Sequence, residues 1–186
     1  MDAKIWACEK CQGKFSSDSI DKIVMALDEQ KNAILSDPSK KKIRVIENFI
    51  SKCTKILHPQ NLLIVRLKYN LIGLYGREKG FHSQVSLLNL IDLLSIILLS
   101  EQDLSEPQWK RKKELCEEIL DVLKVLEPSM TVRKARIMYE LHLPILMLAQ
   151  IGLNNGEDRL TLKKEFQKGL VTLKIALKVG LFNDIS

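Results

Sequence analysis

The stretch from Thr131 to Leu153, TVRKARIMYELHLPILMLAQIGL, constrains the fold more than any other part of the chain. Ile137, Leu141, Ile145, Leu148 and Gly152 recur at spacings of three and four, the period of one helix face. Met138, Leu143, Leu146, Met147 and Ile151 add apolar cover on a second side. A helix that is apolar on two sides needs neighbours on both flanks, so this one is predicted to be central. Arg133, Lys134 and Arg136 are expected to hold its first turns in water. Pro144 removes a backbone donor and crowds the carbonyl four residues earlier, which should bend the helix.

Glu140 and His142 look at first like part of a metalloprotease signature. They are two residues apart, roughly 200° around a helix of ~3.6 residues per turn, so they cannot bind one ion together. Structural hydrogen bonds to a neighbouring helix or loop are the expectation for both.

Helical packing also suits the rest of the composition. Apolar residues make up 46% and aromatics only 5%, with leucine and isoleucine dominant, and strand-type alternation is hard to find. At 186 residues the chain is long enough to bury a substantial core. Its formal charge of +6 could favour an acidic partner, but 29 basic and 23 acidic residues are interleaved through nearly every segment, as on an ordinary solvated surface. Asp2, Lys4, Glu9 and Lys10 interrupt the N-terminus, which argues against a signal peptide. The longest apolar run, Val85 to Leu99, is short for a bilayer and contains Asn89, Asp92 and Ser95, so it is expected to be a buried helix and no membrane association is predicted. Four cysteines with one close pair make no disulfide framework and suit a reducing cytoplasm or nucleus. Cys53 and Cys116 fall in apolar helical patterns and are expected to be core residues.

The first fifteen residues differ from the rest. Cys8 and Cys11 have the C-x-x-C spacing that lets two thiolates take one zinc from a tight turn, and Gly13 just beyond tolerates positive φ. A closed structural zinc site needs four ligands, and neither Cys53, Cys116 nor any of the three histidines forms a second compact pair. The pair is therefore half a site: either the other ligands lie upstream in a longer protein, or it carries no metal.

From Ser16 the pattern is helical. Ser17 or Asp18 is expected to cap a helix to about Leu35, with Ile20, Ile23, Val24, Leu27 and Ile34 on its apolar face. Asp37-Pro38 starts a second, to about Leu57, through Ile43, Ile46, Ile50, Cys53 and Leu57; its short link predicts an antiparallel pair with the first. His58, before Pro59, should be extended, which suits a turn rather than catalysis. A third helix, about Asn61 to Tyr75, shows Leu63, Leu67, Asn70, Leu71 and Leu74 before the stop signals Gly76 and Gly80. Ser83 should cap a fourth, Gln84 to about Leu99. Ser105-Glu106-Pro107-Gln108 is a strong start signal for a fifth, to about Leu126, with Leu115, Ile119, Val122, Leu123 and Leu126 facing in. After the central helix and the turn Asn154-Asn155-Gly156, a last helix runs from about Arg159 to Val179, burying Leu162, Phe166, Leu170, Leu173 and Leu177 and stopping at Gly180.

Two basic runs stand out, Lys40-Lys41-Lys42 and Lys110-Arg111-Lys112-Lys113. No aromatic stacking residues are interleaved with the second, and Glu114, Glu117 and Glu118 follow it, so nucleic-acid binding is not expected. Together the two runs could make a weakly attractive surface for an acidic peptide.

The predicted fold is all-α: about seven helices in antiparallel hairpins, a tetratricopeptide-like superhelical array without strict 34-residue repeats, preceded by a short cysteine-containing segment. By analogy, the groove of such an array holds a protein or peptide partner.

Trp6-Ala7-Cys8-Glu9-Lys10-Cys11, Leu57-His58-Pro59-Gln60-Asn61, Leu74-Tyr75-Gly76-Arg77, Val125-Leu126-Glu127-Pro128 and Tyr139-Glu140-Leu141-His142-Leu143-Pro144 occur in an order and at spacings similar to the SET-and-MYND (SMYD) family, and most like its arthropod branch. The resemblance covers nearly the whole chain but only the part of the family that follows the catalytic SET domain. It implies that residues 1–15 are a remnant of a post-SET zinc segment and residues 16–186 a C-terminal tetratricopeptide-like domain. Cys8 and Cys11 would then be the trailing pair of a post-SET zinc site. Relatives of this type resemble protein-lysine methyltransferases that use S-adenosylmethionine. This sequence has no MYND cysteine/histidine cluster, no glycine-rich cofactor segment and no Asn-His-x-Cys motif with a following tyrosine, so the resemblance implies catalysis and cofactor binding only for a full-length parent. The implied partner is the SET domain or a substrate peptide; a stand-alone peptide-binding adaptor is the alternative.

Overall fold

The computed structural model describes residues 5–7, 13–37, 42–75 and 104–183, with side chains to residue 179. The chain divides into two units, Met1–His58 and Pro59–Ser186. The expected helix from Gln84 to Leu99, the apolar run Val85 to Leu99, and the signals Pro38, Gly76, Gly80 and Ser83 lie outside the described residues.

Six helices are present among the described residues, together with one small sheet that the sequence pattern did not announce. In the first unit, β1 (Ile5–Ala7) pairs antiparallel with β2 (Lys14–Ser16), with Trp6 opposite Phe15. Three-residue strands are too short for a period of two to be recognised, which is why alternation gave no sign of them. β2 passes directly into α1 (Ser17–Ser36), and the cap is Ser16, one residue before the expected pair: its Oγ accepts the Ser19 N–H at 3.2 Å. Trp6 Nε1 donates to Ser17 Oγ at 3.1 Å and ties the hairpin to the helix start.

The apolar face expected of α1 is not buried. Ile23 and Val24 are 48% and 50% exposed, Ile20, Leu27 and Ile34 are half-buried, and the buried residue of this helix is Lys31, paired with Asp28. Helix α2 (Lys42–Cys53) buries Ile46, Phe49, Ile50 and Cys53 and stops four residues before the expected Leu57. Thr54 donates its hydroxyl to the Ser51 carbonyl at 3.1 Å, and the chain turns so that the Leu57 N–H reaches Cys53 O at 2.7 Å. Pro59 disfavours helical backbone at His58, so the chain must leave the helix before it.

In the second unit, α3 (Leu62–Leu74), α4 (Glu106–Leu126), α5 (Val132–Asn154) and α6 (Arg159–Asn183) follow one another. Asn61 caps α3, its Oδ1 accepting the Leu63 N–H at 3.0 Å. The core face of α3 is Ile64, Leu67, Leu71 and Ile72, rotated from the expected one: Leu63 is half-buried, and Asn70 is exposed and donates to Arg66 O. At the start of α4, Gln108 Oε1 reaches back to accept the Ser105 N–H at 2.8 Å, the return half of a capping box. Helix α4 buries Trp109, Leu115, Cys116, Ile119 and Leu123, whereas Leu126, expected to face in, is 70% exposed beyond the last packed turn.

Helix α5 packs against α4 on one side and α6 on the other, the central position its two apolar sides require. Links of five and four residues join α4 to α5 and α5 to α6, so each pair packs as a hairpin. Thr131 caps α5 by accepting the Lys134 N–H at 3.3 Å, and Pro144 sits buried inside the helix. In the second link Gly156 adopts φ 78°, where glycine is favoured, and Asp158 accepts the Thr161 N–H and hydroxyl, each at 2.9 Å, to open α6. Those hydrogen bonds hold the Asp158 carboxyl below its ordinary range.

Helix α6 continues through Gly180 to Asn183 rather than stopping there. Glycine costs a helix interior only about 1 kcal/mol and ends one only where the backbone turns left-handed. Its inner face is Leu162, Gly169, Thr172, Leu173 and Ala176, with Phe166, Leu170 and Leu177 half-buried. A Cβ at Gly169 would stand 2.7 Å from Leu146 Cδ2, so this glycine sets how closely α5 and α6 approach.

Candidate functional site

Cys8 and Cys11, the sequence-predicted zinc half-site, lie outside the described residues, as do Lys40 and Lys41 of the first basic run. Lys42, the last of that run, donates to the Leu35 carbonyl. Among the described residues no group of three or more His, Cys, Asp or Glu side chains is placed to hold a metal ion. No described helix is long and apolar enough to cross a membrane.

The chemistry-bearing residues the structure does bring together lie between α4 and α5. Lys112 is 2% exposed, and its ammonium meets the Glu140 carboxylate at 2.9 Å. Cys116 follows one turn after Lys112 on α4, and His142 lies two residues beyond Glu140 on α5. His142 Nδ1 contacts the Tyr139 carbonyl; because a carbonyl only accepts, Nδ1 carries the proton and the neutral ring has its lone pair on Nε2. The Tyr139 and His142 rings lie 5.1 Å apart and tilted.

The electrostatics of this group oppose nucleophilic chemistry. Burial pushes the Cys116 thiol up to about 12, only partly countered by Lys112. Burial also lowers the His142 pKa, outweighing the Tyr139 carbonyl and Glu140. An activated cysteine needs the opposite arrangement, a thiolate stabilised by a cationic imidazole. Both groups are held neutral, and Lys112–Glu140 is a cross-helix ion pair. Glu140 therefore bonds to a neighbouring helix as expected, whereas the partner of His142 is a carbonyl of its own helix. Cys53 and Cys116 are both buried free thiols, as the apolar patterns indicated, and burial raises Cys53 as well.

The second basic run is dispersed around α4. Lys110 pairs with Glu106 at 2.7 Å, Arg111 with Glu114 at 3.2 Å and Glu118 at 3.4 Å, and Lys112 points inward to Glu140. Glu118 also takes Lys68 of α3 at 2.6 Å. The Arg136 guanidinium of α5 lies beside the Tyr69 oxygen of α3, which holds its pKa above the ordinary value. Lys134, expected in water, is buried: its ammonium donates to the Glu127 carbonyl and, at 2.9 Å, to Ser129 O. The Glu127 carboxylate in turn accepts the Thr131 hydroxyl at 2.6 Å and pairs with Arg133 at 2.8 Å. Among the described residues no buried side-chain nitrogen or oxygen lacks a partner.

Sequence reasoning missed the burial of Lys68, Lys112 and Lys134. The signal was present, because each falls in phase with the apolar positions of its helix: Lys112 between Trp109 and Cys116, Lys68 between Ile64 and Leu71, Lys134 ahead of Ile137 and Leu141. A lysine buries its aliphatic stem along such a face while its ammonium finds an oxygen.

No family model, curated protein or solved structure matches this chain.

Proposed function

We propose that this chain is a helical protein-interaction module, the C-terminal substrate-cleft and regulatory part of an SMYD-like protein-lysine methyltransferase. The observation that carries the interaction reading is the α4–α5–α6 hairpin succession, whose interior charges are spent on holding helices together and whose outer faces remain for a partner. Short hydrogen-bonded links of this kind support a tetratricopeptide-like array. The SMYD assignment rests on the ordered motifs, several of which occupy structural positions in the described residues. Asn61 caps α3, Glu127 ties the α4–α5 link, and Glu140, His142 and Pro144 sit in the central helix.

On this reading Cys8 and Cys11 supply two thiolates to a zinc site completed by residues of the parent protein, and zinc there is structural. S-adenosylmethionine belongs to the parent's catalytic portion. The partner is then the SET domain or its peptide substrate, and the location is cytoplasmic or nuclear. A stand-alone adaptor is the second reading, favoured by the lack of an activated catalytic group in the α4–α5 cluster.

Intact-mass measurement of the endogenous protein, captured with an antibody to the helical region, separates the two. A mass well above 21.3 kDa is expected for the methyltransferase reading, and a mass near 21.3 kDa moves the assignment to the adaptor. Metal analysis tests the half-site: one zinc per chain in the isolated protein, lost in Cys8→Ser, would show that the ligand set is complete without a parent.

A further inference from the structure

The net charge of this protein is concentrated on one helix. Between residues 106 and 126, α4 carries five basic and five acidic side chains and is neutral. Between residues 159 and 178, α6 carries Arg159, Lys163, Lys164, Lys168, Lys174 and Lys178 against Glu165 alone, a net +5 of the chain's +6. At about 100° per residue the five lysines fall within about 140° of one another, centred opposite the buried stripe of Leu162, Gly169, Leu173 and Ala176. All five are exposed, and Glu165 lies on the flank, half-buried. Lys168 approaches Glu117 at 4.0 Å; the other four make no ion pair among the described residues.

We propose that the outward face of α6 is a docking surface for an acidic amphipathic helix of a protein partner. Charge complementarity sets the sign of the partner, and the spacing sets its form. Leu160, Lys164, Gln167, Val171, Lys174 and Lys178 follow one another at intervals of four and three, a straight seam of about 27 Å along the helix. A second helix laid on that seam meets lysines with carboxylates repeating at the same intervals, and meets the exposed Leu160 and Val171 with apolar residues between them. An anionic membrane fits less well. Two apolar residues make no stripe to insert, because the apolar face proper is packed against α5. Duplex nucleic acid fits less well too, since this surface has one arginine and no exposed aromatic ring. The two basic runs conspicuous in the sequence are not this surface, because Lys42 and Lys110 to Lys112 are already engaged with oxygens of their own unit.

The inference rests on the interaction-module reading and is tested separately from it. The probe is a fluorescein-labelled helical peptide with glutamates spaced three and four apart around a leucine stripe, titrated with the full chain and followed by anisotropy. Its controls are the same peptide with glutamine for glutamate, a duplex DNA and phosphatidylserine vesicles. Binding of the acidic peptide is expected at low salt, about tenfold weaker or more when Lys164→Glu, Lys174→Glu and Lys178→Glu are combined, and retained when the same lysines become arginine. Exposed Lys→Glu changes keep helix propensity, so the far-UV circular dichroism and melting temperature of the triple variant should match the parent chain. The proposal is overturned if the triple variant binds unchanged, if the glutamine peptide binds as well, or if DNA or vesicles bind more tightly. A peptide-blind α6 in a protein whose endogenous mass includes a catalytic portion would end the docking surface and leave the module reading standing.

Discussion

Helices α4 and α6 each carry a set of basic residues, and they use it in opposite ways. On α4 four basic residues are consecutive, so they point about 100° apart and meet four different environments. One enters the core, two pair along the helix surface, and the sum of charge over the helix is zero. On α6 the lysines are spread over sixteen residues, yet helical spacing gathers them on one side where, among the described residues, no carboxylate answers most of them. Contiguity in sequence is a poor guide to contiguity on a helical surface, and a basic run is most visible where it matters least.

The contrast can be broken most forcefully at Lys112. Glu140→Gln leaves a buried ammonium without its carboxylate and is expected to lower stability by about 2–4 kcal/mol in urea denaturation, less than for a fully buried pair because Glu140 keeps some contact with water. Lys112→Met removes the charge and keeps the volume, and is expected within about 1 kcal/mol of the parent. Equal losses in the two variants would mean that the ion pair itself, rather than the stranding of a buried ammonium, sets the cost.

Gly169→Ala tests whether the inner face of α6 is fixed by close approach. The added carbon meets Leu146, and a loss of about 1–3 kcal/mol is expected from the same measurement. A smaller effect should come from pH. The His142 pKa is lowered by burial, so the unfolded chain takes up its proton first; this contribution is present above the ordinary 6.5 and is lost as pH falls through the folded value. Urea midpoints measured from neutral to mildly acidic pH should fall, and His142→Leu should flatten that dependence. Lys124→Ala removes an exposed pair with Asp121, and Lys174→Ala removes an outward lysine that has no ion pair among the described residues. Both are expected within about 0.5 kcal/mol of the parent, and a larger loss at Lys174 would mean that α6 does not keep that side in water.

Much of the fold was legible because helix signals are local. The start of α4, the extent of α5, and the turn before α6 follow from capping residues, an apolar run and an Asn-Gly pair whose chemistry acts within a few residues. Boundaries that depend on competition were less legible. The end of α2 is decided by Thr54, the Cys53 carbonyl and Pro59 together, and two three-residue strands carry too little pattern to be seen. The polar cluster was half legible. Glu140 and His142 were expected to be structural, but nothing local announces that the counter-ion of Glu140 is Lys112, a residue that in sequence belongs to a basic run.

By itself, then, the sequence determined the helical class, the central place of α5 and the core-like character of Cys116, since each follows from periodicity and composition that any packing must satisfy. Tertiary structure decided which charges are free. A lysine is a surface cation or a buried strut according to whether its ammonium meets an oxygen on another helix, and that pairing exists only once α3, α4 and α5 have come together. The lysines of α6 remain available for the complementary reason: packing on α5 takes up the opposite side of the helix and turns theirs toward water.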